Sequence, residues 1–187
     1  MQRFEHHLLI AMPSLQDPYF NRSVTYICEH NDDGAMGLII NQPVDISLEQ
    51  LLVTLALKPE GFTVPTGSNN QVMMGGPVNS ERGFVLHSPI AGLANSHQFS
   101  EEIMLTSSRD VLDLLGSERQ PQQYLVALGY AGWAAGQLEQ EIADNSWLTI
   151  PAESELIFNV APEQLWQQAT ARLGIDVWQL SNDVGHA

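Results

Sequence analysis

The sequence predicts an α+β fold built on a mixed β-sheet. Hairpin patterns dominate the first half of the chain, strand-to-helix steps dominate the second, and the two do not alternate strictly as a doubly wound parallel sheet requires. About four helices and roughly eight short strands can be read from hydrophobic periodicity. Apolar residues make up 44% of the 187 residues and run along the whole length, enough for one continuous core. Residues 1–187 are therefore expected to form a single domain.

Leu8 to Met12 reads as a buried strand closed by Pro13, and Asp17-Pro18-Tyr19-Phe20 as a turn, because proline fixes φ there. Val24, Tyr26 and Cys28 alternate with Thr25 and Glu29 on a second strand. Asn31-Asp32-Asp33-Gly34 supplies a hairpin turn, and Met36 to Ile40 returns as a nearly continuous apolar run covered on both faces. Ser47 and Gln50 form a capping box before Leu48, Leu51, Leu52 and Leu55, whose spacing is that of an amphipathic helix.

Pro59 to Asn70 reads as a loop, Gln71 to Met74 as a strand, and Gly75-Gly76-Pro77 as a bulge or corner where the sheet curls. Asn79 to Gly83 is expected to be a turn that returns Phe84 to His87 against the preceding strand. Ile103 to Thr106 is a short strand. Ser107 and Asp110 make a second capping box, ahead of Val111, Leu112, Leu114 and Leu115, and Gly116 is the stop.

Tyr124 to Tyr130 is strand-like, and Gly132 to Gly136 opens a helix with Ala135, Leu138 and Ile142 on one face. Trp147 to Ile150 and Leu156 to Asn159 are expected strands. Pro162 suits the first turn of a last helix whose Trp166, Ala169 and Leu173 face inward before Gly174. The tail to Ala187 is weakly patterned.

Seven Lys and Arg against twenty-two Asp and Glu give a formal net charge of -15. That field repels phosphate backbones and anionic lipid alike, and the basic residues form no local stripe, so direct nucleic-acid contact and membrane binding are not expected. A single cysteine, Cys28, allows no intrachain disulfide and fits a reducing, cytoplasmic setting. The run Leu8 to Met12 is too short for a signal peptide, and no stretch approaches the ~20 apolar residues that cross a bilayer.

Taken in order, His7 to Pro13, Asp17 to Phe20, Cys28 to Asn31, Gly34 to Gly37, Gly75-Gly76-Pro77-Val78 and Thr106-Ser107-Ser108-Arg109-Asp110 resemble the YqgE/AlgH family of bacterial proteins. Ala127 to Trp133, Gly136 to Glu141 and Asn145 to Leu148 extend the resemblance through most of the chain. The resemblance implies an α+β fold with a branched, mixed sheet, partly closed into a small barrel and flanked by helices. It implies no established activity and no catalytic motif. One branch of the family takes its name from a link to the regulation of alginate synthesis in pseudomonads.

Candidate chemistry is sparse. Cys28 with His30 lacks a third orienting group and reads as core. His30, Asp32 and Asp33, like His6 and His7, match no metal-ligand spacing. The glycines at 129, 132 and 136 are not a dinucleotide fingerprint. Trp133, Trp147 and Trp166 read as core, with Trp178 the more open case. No catalytic residue, cofactor or metal site is expected.

The sharpest site is the start of the second helix, where Arg109 is a cation at a partly positive helix end. A salt bridge to one of the many carboxylates would explain it. Alternatively, Thr106, Ser107, Ser108 and Arg109, with Arg82 and His87, would hold an anionic group of a ligand or partner. The function expected is that of a regulatory or protein-interaction protein, acting on transcription indirectly if at all; the alternative is an enzyme acting on a small anionic molecule. A deep pocket lined by His87, Arg82 or Arg109 would favour the enzyme, and an exposed apolar groove the interaction protein.

Overall fold

The computed structural model describes residues 2–174 and Asp176. Within them, nine strands form one sheet, eight of them in the order β6-β7-β5-β8-β3-β2-β1-β9 and the ninth, β4, paired with β8 beside that path. The sheet curls into a half-barrel. The first three strands are β1 (His7–Ala11), β2 (Val24–Asn31) and β3 (Gly34–Ile39). β2 and β3 form the expected hairpin, closed by Asp32 and Asp33 between the paired Asn31 and Gly34. A register shift between Ile27 and Glu29 marks a bulge at Cys28.

Helix α1 (Leu48–Thr54) begins as its sequence requires. The Gln50 amide donates to Ser47 Oγ at 3.2 Å, and the Ser47 amide donates to Gln50 Oε1 at 2.9 Å. Strand β4 (Val72–Met74) then runs parallel to β8 (Tyr124–Ala134), while β5 (Val78–His87) runs antiparallel to it. β8 is the branch point, paired with β3, β4 and β5. The sheet is mixed, because β4–β8 is parallel and the other pairings are antiparallel.

Several expectations are corrected here. Residues 79–83 are not a turn; they lie inside β5, where the pairing with β8 shifts register between Val78 and Gly83. β5 therefore pairs with β8 and β7 (Met104–Thr106), not with β4. Gly75 and Gly76 carry the chain across β8: a Cβ on Gly76 would overlap the Tyr130 carbonyl, so side-chain-free backbone is needed there. An additional edge strand, β6 (Ser96–Gln98), pairs with β7.

Gly132 does not open a helix. β8 continues to Ala134, Gly136 caps α3 (Gln137–Ala143) with φ of 75°, and Leu138 alone of that helix is fully buried. After β9 (Trp147–Pro151), residues 156–158 belong to a short helix, α4 (Ser154–Phe158), and not to a strand. Adjacent Leu156 and Ile157 are both buried against the same core, which a helical turn permits and a strand with alternating faces does not. With α2 (Arg109–Leu114) and α5 (Pro162–Ala171), the described residues hold five helices where about four were expected.

Three packed clusters sit on the sheet. Tyr26, Leu38, Phe84 and Leu86 face α4 and α5 on one side; Val72, Val85 and Val126 face α1 and α2; Leu9, Ile27, Trp133 and Trp147 face α3. Trp166 on α5 is core, and its Nε1–H donates to the Ala11 carbonyl at 2.8 Å. Trp133 and Trp147 are buried, and both indoles donate to Glu141 Oε2 at 2.9 Å. Trp178 lies outside the described residues. No helix among the described residues is long and apolar enough to cross a membrane.

Candidate functional site

A cleft of about 470 Å3 opens where β2, β3 and β5 meet the edge strand β6 and its neighbour β7. Its apolar floor is Cys28, Met36, Phe84, Phe99 and Leu105. Alternation along β2 puts Cys28 in the same cluster as Tyr26, and alternation along β5 and β7 brings Phe84 and Leu105 to that face. Phe99, just beyond β6, is the hub of the aromatic contacts, with ring centroids 4.4 Å from His97, 5.5 Å from Tyr26 and 5.9 Å from His6. Phe84 meets Tyr130 edge-on at 6.0 Å.

The polar rim carries Glu5, Glu29, Arg82, Asn95, Ser96, His97 and Ser107. The Arg82 guanidinium lies 5.1 Å from the Phe84 ring centroid, over its face. Burial pushes the Cys28 thiol far above the ordinary thiol range, with Glu29 adding to the effect. Cys28 is thus held as an unreactive thiol. His30 is no base for it: its Nδ1 accepts from the Phe4 amide at 3.1 Å, and its Nε2 meets Glu139 Oε1 at 2.8 Å. Among the described residues, no three His, Cys, Asp or Glu side chains come together to hold a metal ion.

The structure divides the six residues singled out from sequence. Arg82 and Ser107 line the cleft. His87 and Thr106 are fully buried behind it: Thr106 pairs with Val85, on the α1–α2 face of the sheet, whereas the neighbouring Leu105 packs on the cleft side. His87 Nδ1 is 2.8 Å from the Ser88 carbonyl, so it carries the proton and Nε2 must accept. The Thr106 hydroxyl then donates to Nε2 at 2.7 Å, and Ser96 Oγ lies 2.7 Å from Thr106 Oγ1. Desolvation lowers the His87 pKa against the opposing Ser88 hydrogen bond, which keeps the ring neutral.

The start of α2 differs from the expected capping box. The N-cap is Ser108, not Ser107, and the Ser108 hydroxyl lies within hydrogen-bond reach of both Asp110 Oδ1 and the Ala94 carbonyl. The Asp110 carboxylate in turn accepts from the amides of Ala94 and Val111, both at 2.9 Å. Burial raises its pKa, but these donors outweigh it and hold the carboxyl below its usual range. Asp110 itself thus places the negative charge at this helix end. Arg109 pairs with no carboxylate among the described residues; it is exposed and donates to the Leu55 carbonyl, at the C-cap of α1, at 2.8 Å. These groups tie α2 to α1 and to the segment before β6.

Fold and site together define an α+β half-barrel protein with an apolar, polar-rimmed cleft. The chain belongs to the AlgH-like family, whose model matches residues 8–178. It is similar to UPF0301 proteins of Shewanella loihica, 54% identical over 187 residues, and Idiomarina loihiensis, 56% identical over 188, with all of both chains covered in each case. The solution structure of AlgH from Pseudomonas aeruginosa is 41% identical, with a TM-score of 0.76 and all of both chains covered. A crystal structure of a protein from Corynebacterium diphtheriae, 19% identical, shares the fold with a TM-score of 0.72 over 97% of this chain and 93% of that one.

Proposed function

We propose that this is a regulatory, protein-interaction protein of the cytoplasm, whose contact surface is centred on the cleft over Met36, Phe84 and Phe99. The observation that carries the reading is the chemistry of the lining: an apolar floor open to solvent, beneath a rim of polar groups. Two of the titratable groups that the sequence offers for an enzyme are engaged elsewhere. His87 has both ring nitrogens bonded inside the sheet, and Arg109 is bonded to α1. The charge of -15 favours a route to transcription through another protein over direct contact with DNA.

One observation speaks for the alternative, an enzyme acting on a small anionic molecule: Arg82 and Ser107 share the cleft. The two readings part in affinity capture from cell lysate with the unaltered protein and with Met36→Glu, which puts a charge on the half-buried cleft floor. The interaction reading expects a specific protein that the folded variant no longer retains. Equal retention by both, or no specific protein together with turnover in a substrate screen, contradicts it.

A further inference from the structure

A second hollow of about 210 Å3 adjoins the cleft at the β2–β3 hairpin, with Glu29 and Met36 common to both. Phe84, Leu105 and Met36 give the cleft its apolar footing, and Trp133 lines the adjoining hollow. Three carboxylates line the groove that the two make together: Glu5, Glu29 and Asp33, all exposed. Among the described residues none has a cationic partner, since Arg3 is taken by Asp32 and Arg172 by Glu153. Glu5 Oε1 accepts only the His30 amide, and Glu29 Oε1 only the Asn31 side chain. The single cation of the groove, Arg82, lies over the Phe84 ring.

Resting on the interaction reading above, we infer that the occupant of this groove is a basic segment of a partner protein, in which lysines or arginines flank a large apolar residue. The apolar side chain enters over Met36 and Phe84, and the flanking cations face Glu5, Glu29 and Asp33. The charge balance of the lining, three carboxylates to one guanidinium, supports this sign of partner over an acidic one, and the field of the whole chain adds to it. Specificity follows, because an acidic segment would meet like charge along most of the groove.

The test uses the full chain and two synthetic hexapeptides with a central Leu-Phe, one flanked by lysines and the other by glutamates. Nitrogen-15 NMR titration is expected to show the lysine peptide moving the amides of Met36, Phe84 and Trp133, with the glutamate peptide silent. Binding should weaken with added salt. Glu29→Gln and Asp33→Asn should each weaken it by about two- to threefold, as exposed charge pairs do. Arg82→Ala, which removes the repelling cation of the groove, should strengthen it. Preference for the glutamate peptide, loss of binding in Arg82→Ala, indifference to the carboxylate changes, or silence of both peptides would overturn the inference. If both peptides are silent while capture still depends on Met36, the partner's chemistry is wrong and the interaction reading stands. Loss of both results removes the two together.

Discussion

The hydroxyl of Thr106 stands 2.7 Å from Nε2 of His87, and its orientation is dictated from the other side of the ring, where Nδ1 gives its proton to the Ser88 carbonyl. Both side chains are fully buried, so the pair satisfies two polar groups that would otherwise be costly in the sheet. Ser96 completes the chain and fastens the edge strand β6 to β7.

Thr106→Val keeps the shape of this site and removes its donor. Leaving Nε2 unpaired should lower stability by about 1–3 kcal/mol, measured by urea unfolding. Stability should also depend on pH with a definite sign. The folded pKa of His87 is depressed below the value of 6.5 that the unfolded chain approaches. Between the two pKa values the unfolded state binds more protons, so stability is fully present above 6.5 and falls as pH drops below it. His6, also lowered by burial, acts in the same direction. Unfolding midpoints that rise on acidification from pH 7.5 to about 5.5 would contradict this assignment.

Glu141 joins two indoles, Trp133 and Trp147, through one carboxylate oxygen. Glu141→Ala should cost about 2–3 kcal/mol by orphaning two buried N–H donors, and should alter tryptophan fluorescence before unfolding begins. Glu141→Gln, which retains an acceptor oxygen, should cost less. Equal losses in the two variants would mean that packing, and not the shared acceptor, explains the residue.

Arg109→Ala should be mild, within about 1 kcal/mol, because one exposed bond to the Leu55 carbonyl is lost and no ion pair is broken. Thermal melts of the variant check this. A loss several times larger would indicate a partner for Arg109 beyond α1.

What could be read from sequence follows the range of the interactions involved. The capping box of Ser47 and Gln50 lies within four residues and survives unchanged, as does Pro162 in the first turn of α5. The run 156–159 misled because four apolar-rich residues fit a strand or a single helical turn equally well. The partner of β5 was hidden for another reason: the chain crosses β8 at Gly75 and Gly76, so consecutive strands do not pair. The same holds for the site. Arg82 and Ser107 are legible as candidate binding residues, but nothing local links them to Glu5, Cys28, Met36 or Phe99, which only the curled sheet brings to one cleft. Ser108 and Asp110 drew attention by their type and satisfy one another instead.

The most direct measurement places a photo-crosslinking amino acid in the living cell at His97, on the rim of the cleft, and in a second strain at Gln168, exposed on α5 away from it. The account predicts a discrete crosslinked protein from position 97 that is absent from position 168 and disappears when Met36→Glu is added. Identical crosslinks from the two positions, or none from position 97 in cells where the protein is abundant, would contradict the cleft as a site of protein contact.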